Sequence, residues 1–197
     1  QVTAADGNGG TDTQAISVTV TDANDAPVII SDGGGATASV SAAENQTAVT
    51  TVTATDIDGD TPTFAISGGA DAAQFTIDAN TGVLAFAVAP DFEAPADADT
   101  DNGYEVQVAA SDGNGGTDTQ AISVVVTDAN DAPLLDDSGA ATLTTINENE
   151  FNNSGDLVSD IIASPGGDPI TDADAGAVEG IAVVSVDDAN GTWQYST

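Results

Sequence analysis

The chain has no lysine, arginine or histidine among its 197 residues; it carries 33 acidic side chains and a formal charge of −33. Phosphate backbones and anionic membrane surfaces are held by Lys and Arg, so ordinary binding to nucleic acid or acidic lipid is excluded. Cysteine is also absent, which removes disulfides and thiolate metal sites. Without His, Cys, Lys or Arg, the usual catalytic triads, thiol nucleophiles and phosphate clamps cannot be assembled. Only a carboxylate pair of glycosidase type is left, and the chain is not expected to be an enzyme. No stretch of 18 apolar residues is present, so no membrane insertion is expected in this segment, and no secretion signal is seen. Aromatic residues are only 4%, so a core must be built mainly from Val, Ile and Ala.

Hydrophobic residues still make up 40% of the chain and they are patterned, which separates it from a disordered polyacid. Repulsion among the carboxylates destabilises a compact state until ions neutralise it. The small partner that this charge calls for is a cation.

Residues 6–27 and 112–133 run DGNGGTDTQAISV(T/V)VTDANDAP, identical except for Thr19 against Val125, an internal repeat with an offset of 106 residues. In the second copy Ile122, Val124 and Val126 alternate as on a half-buried strand, which sends Val125 to the other face, where a Thr is tolerated. The strand ends in Asp128, Asn130 and Asp131, closed by Pro133, which cannot donate to a ladder. Carboxylates and amides this close together suit a hard cation such as Ca²⁺; an Asx-rich turn between strands is the other reading.

Strands are expected at 2–5 and 13–20 around a Gly-rich turn, then at 37–41, 49–55, 63–66, 74–77, 83–87, 104–110 and 117–126. Seven short strands in about 100 residues without helical periodicity argue for an antiparallel β-sandwich. Tyr104, Val106 and Val108 should face inward, with Phe64, Ile66, Phe75, Ile77, Leu84 and Phe86 as further core candidates. Beyond residue 134 the sequence changes character. Strands are expected at 141–146 and 180–186, and Asn190-Gly191 signals a hairpin into Trp193 and Tyr195. Residues 1–27 thus read as the C-terminal strands of a truncated repeat, 28–133 as a complete repeat, and 134–197 as the start of a divergent, truncated β-sandwich repeat. The chain is expected to be a piece of a longer tandem array.

The middle repeat carries Ala43-Glu44-Asn45, Asp56-Ile57-Asp58, Asp91-Phe92-Glu93, Asp112 and Asp128-Ala129-Asn130-Asp131 in that order. In this it resembles a cadherin-like domain of the kind strung together in large bacterial surface adhesins. The resemblance implies an all-β chain of tandem antiparallel β-sandwich domains, Greek-key and cadherin/Ig-like, in an extended array with Ca²⁺ at the interdomain junctions. Carried over residue by residue, Glu44, Asp91, Glu93, Asp128, Asn130 and Asp131 would form a lower junction. Asp22, Asn24 and Asp25 would join Asp56, Asp58 and Asp112 at an upper one. Asp172 and Asp174 are the expected DxD of the acceptor module at the lower junction. Residues 172–195 are similar to another repeat module of bacterial giant adhesins.

Other features read as structural. Asp97, Asp99 and Asp101, in an Ala-Asp repeat, are expected to be a solvated loop, and the two DGNGG segments to be turns. The reading as a whole is a calcium-rigidified segment of an extracellular adhesin or surface fibre, its partners being neighbouring repeats of the same chain or filament. Two other readings stay open: a module that recognises a cell-surface or matrix ligand such as a glycan or protein, and a filament subunit joined to its neighbour by strand complementation.

Overall fold

Alternation of apolar and polar residues places one face of each long strand against the core, and the longest strands set the architecture. The computed structural model describes residues 1–136, 138–139, 142–145, 154–163, 170–178, 180–182 and 185. They divide into two units, Gln1–Pro90 with Pro95–Thr127, and Asp91–Ala94 with Asp128–Thr197.

The first unit begins with a hairpin of β1 (Val2–Ala5) and β2 (Thr11–Gln14). There follow β3 (Val28–Ile29), β4 (Thr37–Ala43), β5 (Ala48–Thr51), β6 (Ala54–Thr55), β7 (Thr63–Gly68), β8 (Phe75–Ile77), β9 (Val83–Phe86), β10 (Gly103–Ser111) and β11 (Thr117–Thr127). One sheet has the order β4-β11-β10-β7; a second has the order β5-β9-β8, and β3 pairs with β6. Pairing is antiparallel except between β4 and β11, which run parallel from Thr37 opposite Ala121 to Ala43 opposite Thr127. Strands so far apart in sequence need no hairpin between them, so a parallel register is open to them.

The sheets meet through aromatic rings. Phe75 stacks on Phe86 at 4.7 Å, and Tyr104, from the other sheet, meets Phe86 edge-on at 5.1 Å. Val106, Val108, Ile122, Val124 and Val126 are buried with them, while Val125 is 43% exposed on the opposite face. Phe64 and Leu84 are also buried, whereas Ile66 and Ile77 are only half-buried. Each fully buried aliphatic or aromatic side chain contributes about 1.5–3 kcal/mol, which is how a core poor in aromatics holds the sandwich. At the β8–β9 turn the chain passes so close to its neighbour that a Cβ on Gly82 would stand 2.0 Å from the Val52 carbonyl oxygen. Gly82 also has φ +70°, so both space and conformation require glycine there.

Several expected strands come out differently. The one expected over 49–55 divides, because β5 pairs with β9 while β6 pairs with β3, with a register irregularity near Ala48 and Thr50. A 3₁₀ turn, Ala72–Gln74, precedes β8. The strand expected over 13–20 is reduced to Thr11–Gln14. β1 and β2 keep the register of the later copy, Val2 opposite Gln14 as Val108 is opposite Gln120. Residues 15–20 find no partner strand among the described residues, and Ile16, Val18 and Val20 are 56%, 82% and 90% exposed. Backbone groups without a ladder partner do not make a strand, whatever the propensity of the side chains.

In the second unit β12 (Leu134–Leu135) pairs antiparallel with β13 (Ile170–Thr171), and a short helix α1 (Val158–Ala163) lies between them in sequence. The helix was not expected. Residues 142–145 and 180–182 are not strands, contrary to expectation. The 190–191 hairpin, Trp193 and Tyr195 lie outside the described residues. No helix among the described residues is long and apolar enough to cross a membrane, which says nothing of a β-barrel.

Candidate metal centre

The upper set of acids lies wholly in the first unit. After Ser111 ends β10, the Gly-rich loop wraps its amides around one carboxylate. Asn114 donates to Asp112 Oδ1 at 2.7 Å and Gly116 to the same oxygen at 2.9 Å. Asp6 receives the Asn8 and Gly10 amides in the same way, at 2.8 and 2.9 Å, so both DGNGG segments are turns closed on their own aspartate. Asp112 differs from Asp6 in being 9% exposed and in meeting the linker: Asn24 Nδ2 donates to Asp112 Oδ2 at 2.8 Å. That bond, together with the loop amides, holds the Asp112 carboxyl below its ordinary value against the opposing effect of burial. Gly116 is needed here because a Cβ would lie 2.7 Å from the Ala26 Cα and closer still to the Asp112 carboxylate.

The linker also grips the 56–58 turn. The Asp25 amide donates to Asp58 Oδ2 at 2.7 Å, and the Asp58 amide donates to Asp56 Oδ1 at 2.8 Å. Asn24 Nδ2 additionally reaches the Asp25 carbonyl at 3.0 Å. A shallow open depression lies beside this arrangement, bordered by Asp25, Ala26, Val28, Thr55, Asp56 and Ile57. Asp56, Asp58 and Asp112 are linked through Asn24 and Asp25 and do not themselves converge on one point within 4.8 Å. Asp22 is exposed and takes part in none of these bonds.

In the second unit the same bonds recur. The Asp131 amide donates to Asp174 Oδ2 at 2.8 Å, the Asp174 amide to Asp172 Oδ1 at 3.0 Å, and Asn130 Nδ2 to the Asp131 carbonyl at 2.6 Å. One oxygen from each of Glu93, Asp128 and Asp174 lies within 4.8 Å of the others. Asp91 Oδ1 caps the turn that carries Glu93, accepting from the Glu93 and Ala94 amides at 3.1 and 3.0 Å. Glu44 belongs to the first unit, where it follows β4; it is 3% exposed and its amide donates to the Thr127 carbonyl at 3.1 Å.

The donors fit a hard divalent cation. All are oxygens, from carboxylates and amides, and the chain holds no basic side chain that could neutralise them. Asp56 Oδ2 is shielded from solvent and accepts no hydrogen bond, the condition of an oxygen that a cation would satisfy.

Two residues that carry structure in the first unit were not anticipated. Asp71, 5% exposed, accepts the Ala98 and Glu105 amides at 2.7 and 2.8 Å. Gln120, fully buried, donates to the Gly35 carbonyl at 3.1 Å. Asp97 corrects an expectation, since it is 5% exposed, whereas Asp99 and Asp101 are exposed as a solvated loop requires.

Residues 37–127 match the family model described as the cadherin domain, a module of extracellular adhesion proteins. Protocadherin-15 of mouse (Mus musculus) is 39% identical over 97 residues, which is 48% of this chain and 5% of that protein. Human (Homo sapiens) protocadherin-15 is 38% identical over the same length and shares. The chain therefore spans about a twentieth of the length of these curated relatives. Among solved structures, repeats EC1-2 of human protocadherin-24 align with a TM-score of 0.46 at 27% identity, covering 61% of this chain and 52% of that one.

Proposed function

We propose that this chain is a structural segment of an extracellular adhesive fibre whose linkers are rigidified by Ca²⁺. The observation that carries the reading is the repeated grip of linker on DxD turn. Asp25 on Asp58 on Asp56 recurs as Asp131 on Asp174 on Asp172, with hydrogen bonds of 2.7–3.0 Å in both. Each grip gathers acidic side chains in a protein that has no internal counter-charge. Bringing like charges together raises the free energy of the ordered linker, and a divalent cation removes that penalty.

The residues that would hold the ion are Asp25, Asp56, Asp58 and Asp112 with Asn24 in the first unit, and Glu93, Asp128, Asp131, Asp172 and Asp174 with Asn130 in the second. Glu44 and Asp91 are assigned to the lower set by the resemblance, and Asp22 to the upper. When bound, the ion supplies charge neutralisation and oxygen coordination. The chain's own contribution is to orient the carboxylates through backbone amides and, at Asp56, to keep an oxygen out of water. Extracellular calcium modules bind at about 10⁻⁴ to 10⁻³ M, a range filled outside the cell and empty inside it, which suits a surface location. Partners on this reading are the neighbouring repeats. That the fibre is a bacterial surface adhesin is part of this proposal and rests on the resemblance read in the sequence motifs.

Small-angle scattering of the intact chain, in calcium and then in excess chelator, tests the proposal. A longer and stiffer particle in calcium supports it; identical profiles would refute it.

A further inference from the structure

We propose that the loop 97–103 of the first unit is a calcium-binding loop in its own right. This goes beyond the linker sites and does not depend on them.

Asp97 is 5% exposed, and a buried carboxylate is costly unless paired or coordinated. Its Oδ2 accepts the Asp101 amide at 2.8 Å, while its Oδ1 is buried with no hydrogen-bond partner. No Lys, Arg or His exists anywhere in the chain to pair with it. One oxygen from each of Asp97, Asp99 and Asp101 lies within 4.8 Å of the others, so three carboxylates converge where one is hidden from water.

The arrangement is fixed from outside the cluster. Asp71 accepts the Ala98 amide at 2.7 Å, Tyr104 Oη accepts the Ala96 amide at 3.0 Å, and Gln74 Nε2 donates to the Ala96 carbonyl at 3.0 Å. Thr100 and Asn102 sit at φ +60° and +65°, a conformation that a β-branched Thr adopts only when its surroundings impose it. Carboxylates at every second residue followed by a positive-φ position give the order of the first three ligands in a twelve-residue EF-hand loop. The twelfth position, where that loop has a bidentate Glu, is Val108, which is fully buried. The loop should therefore bind weakly, in the ~10⁻⁴ to 10⁻³ M range of extracellular modules.

The test uses the full chain with Trp193→Phe and Tyr195→Phe, which leaves Tyr104 as its single tyrosine and sole strong ultraviolet sensitiser. Tb³⁺ emission sensitised through Tyr104 is read alongside calorimetric Ca²⁺ titration. Asp99→Asn with Asp101→Asn keeps the side-chain oxygen that accepts the Gly103 amide and removes two charges. It should lose one Ca²⁺ per chain and weaken the Tb³⁺ signal at least tenfold. Asp58→Asn with Asp174→Asn should leave the Tb³⁺ signal intact, so failure of the linker reading and failure of this one are told apart. Asp99→Ala, at an exposed side chain, provides a second variant in which the fold is not at risk. Unchanged stoichiometry and emission in both loop variants would overturn the proposal.

Discussion

The backbone amide of Asp131 donates to Asp174 Oδ2 at 2.8 Å, and 106 residues earlier the amide of Asp25 donates to Asp58 Oδ2 at 2.7 Å. Both acceptors lie in T-D-x-D turns that follow matching strand pairs, Thr55 opposite Val28 and Thr171 opposite Leu134, so module and linker together set the contact. Asp58→Asn and Asp174→Asn each keep an acceptor for the linker amide and remove a charge. Each should leave the melting temperature in chelator nearly unchanged while reducing the gain on adding calcium. One site at tenfold excess over its affinity contributes about 1.4 kcal/mol, or roughly 3–6 °C for a chain of this size. Differential scanning calorimetry with and without Ca²⁺ reads both quantities.

Gly116 and its repeat partner Gly10 give a matched pair. A Cβ on Gly116 would meet the Ala26 backbone and the buried Asp112, whereas one on Gly10 would meet only the exposed Asp6 side chain. Gly116→Ala should destabilise by about 1–3 kcal/mol and Gly10→Ala by far less, measured by urea unfolding.

Val124 and Val18 occupy the same place in the repeated sequence, yet one is fully buried and the other 82% exposed. Val124→Ala should cost about 2 kcal/mol and Val18→Ala no more than about 0.5. Equal effects in chemical denaturation would mean that residues 15–20 are packed as the later copy is.

Asp78 closes the β8–β9 turn by accepting the Thr81 and Asn80 amides at 2.8 and 3.0 Å, and these bonds, the Thr81 amide first, hold its carboxyl below 3.8. A depressed folded value means the contribution is complete above the unfolded value and is lost as pH falls through the folded one. Asp78→Ala should therefore lower the melting temperature at pH 7, and the gap to the parent should close below about pH 3.8. Thermal melts across pH 2–7 check the sign.

Much of the sandwich is legible in the sequence because alternation reports burial directly. Ile122, Val124 and Val126 point in and Val125 out, as their order implies. The same letters at 16, 18 and 20 mislead, because a strand also needs a partner ladder and the sequence of the strand does not contain it. The D-x-D and linker residues are readable as oxygen clusters, while the bonds from Asn24 to Asp112 and from Asp25 to Asp58 cross 88 and 33 residues and leave no local trace. Asp71 is a lone Asp in an Ala-rich turn with nothing to single it out. Asp97 does have a signal, the D-x-D-x-D spacing ahead of Asn102-Gly103. It is masked by the Ala-Asp repetition, which suggests solvent.

The central claim is that cations, and not solvent alone, neutralise these carboxylates in the working protein. Thermal unfolding of the intact chain in about 5 mM Ca²⁺, an excess over the ~10⁻⁴ to 10⁻³ M expected for extracellular sites, and then in chelator tests it most directly. The account predicts a melting temperature higher by several degrees in calcium, most of it lost when Asp58→Asn and Asp174→Asn are combined. The same melting temperature in calcium and in chelator would contradict it.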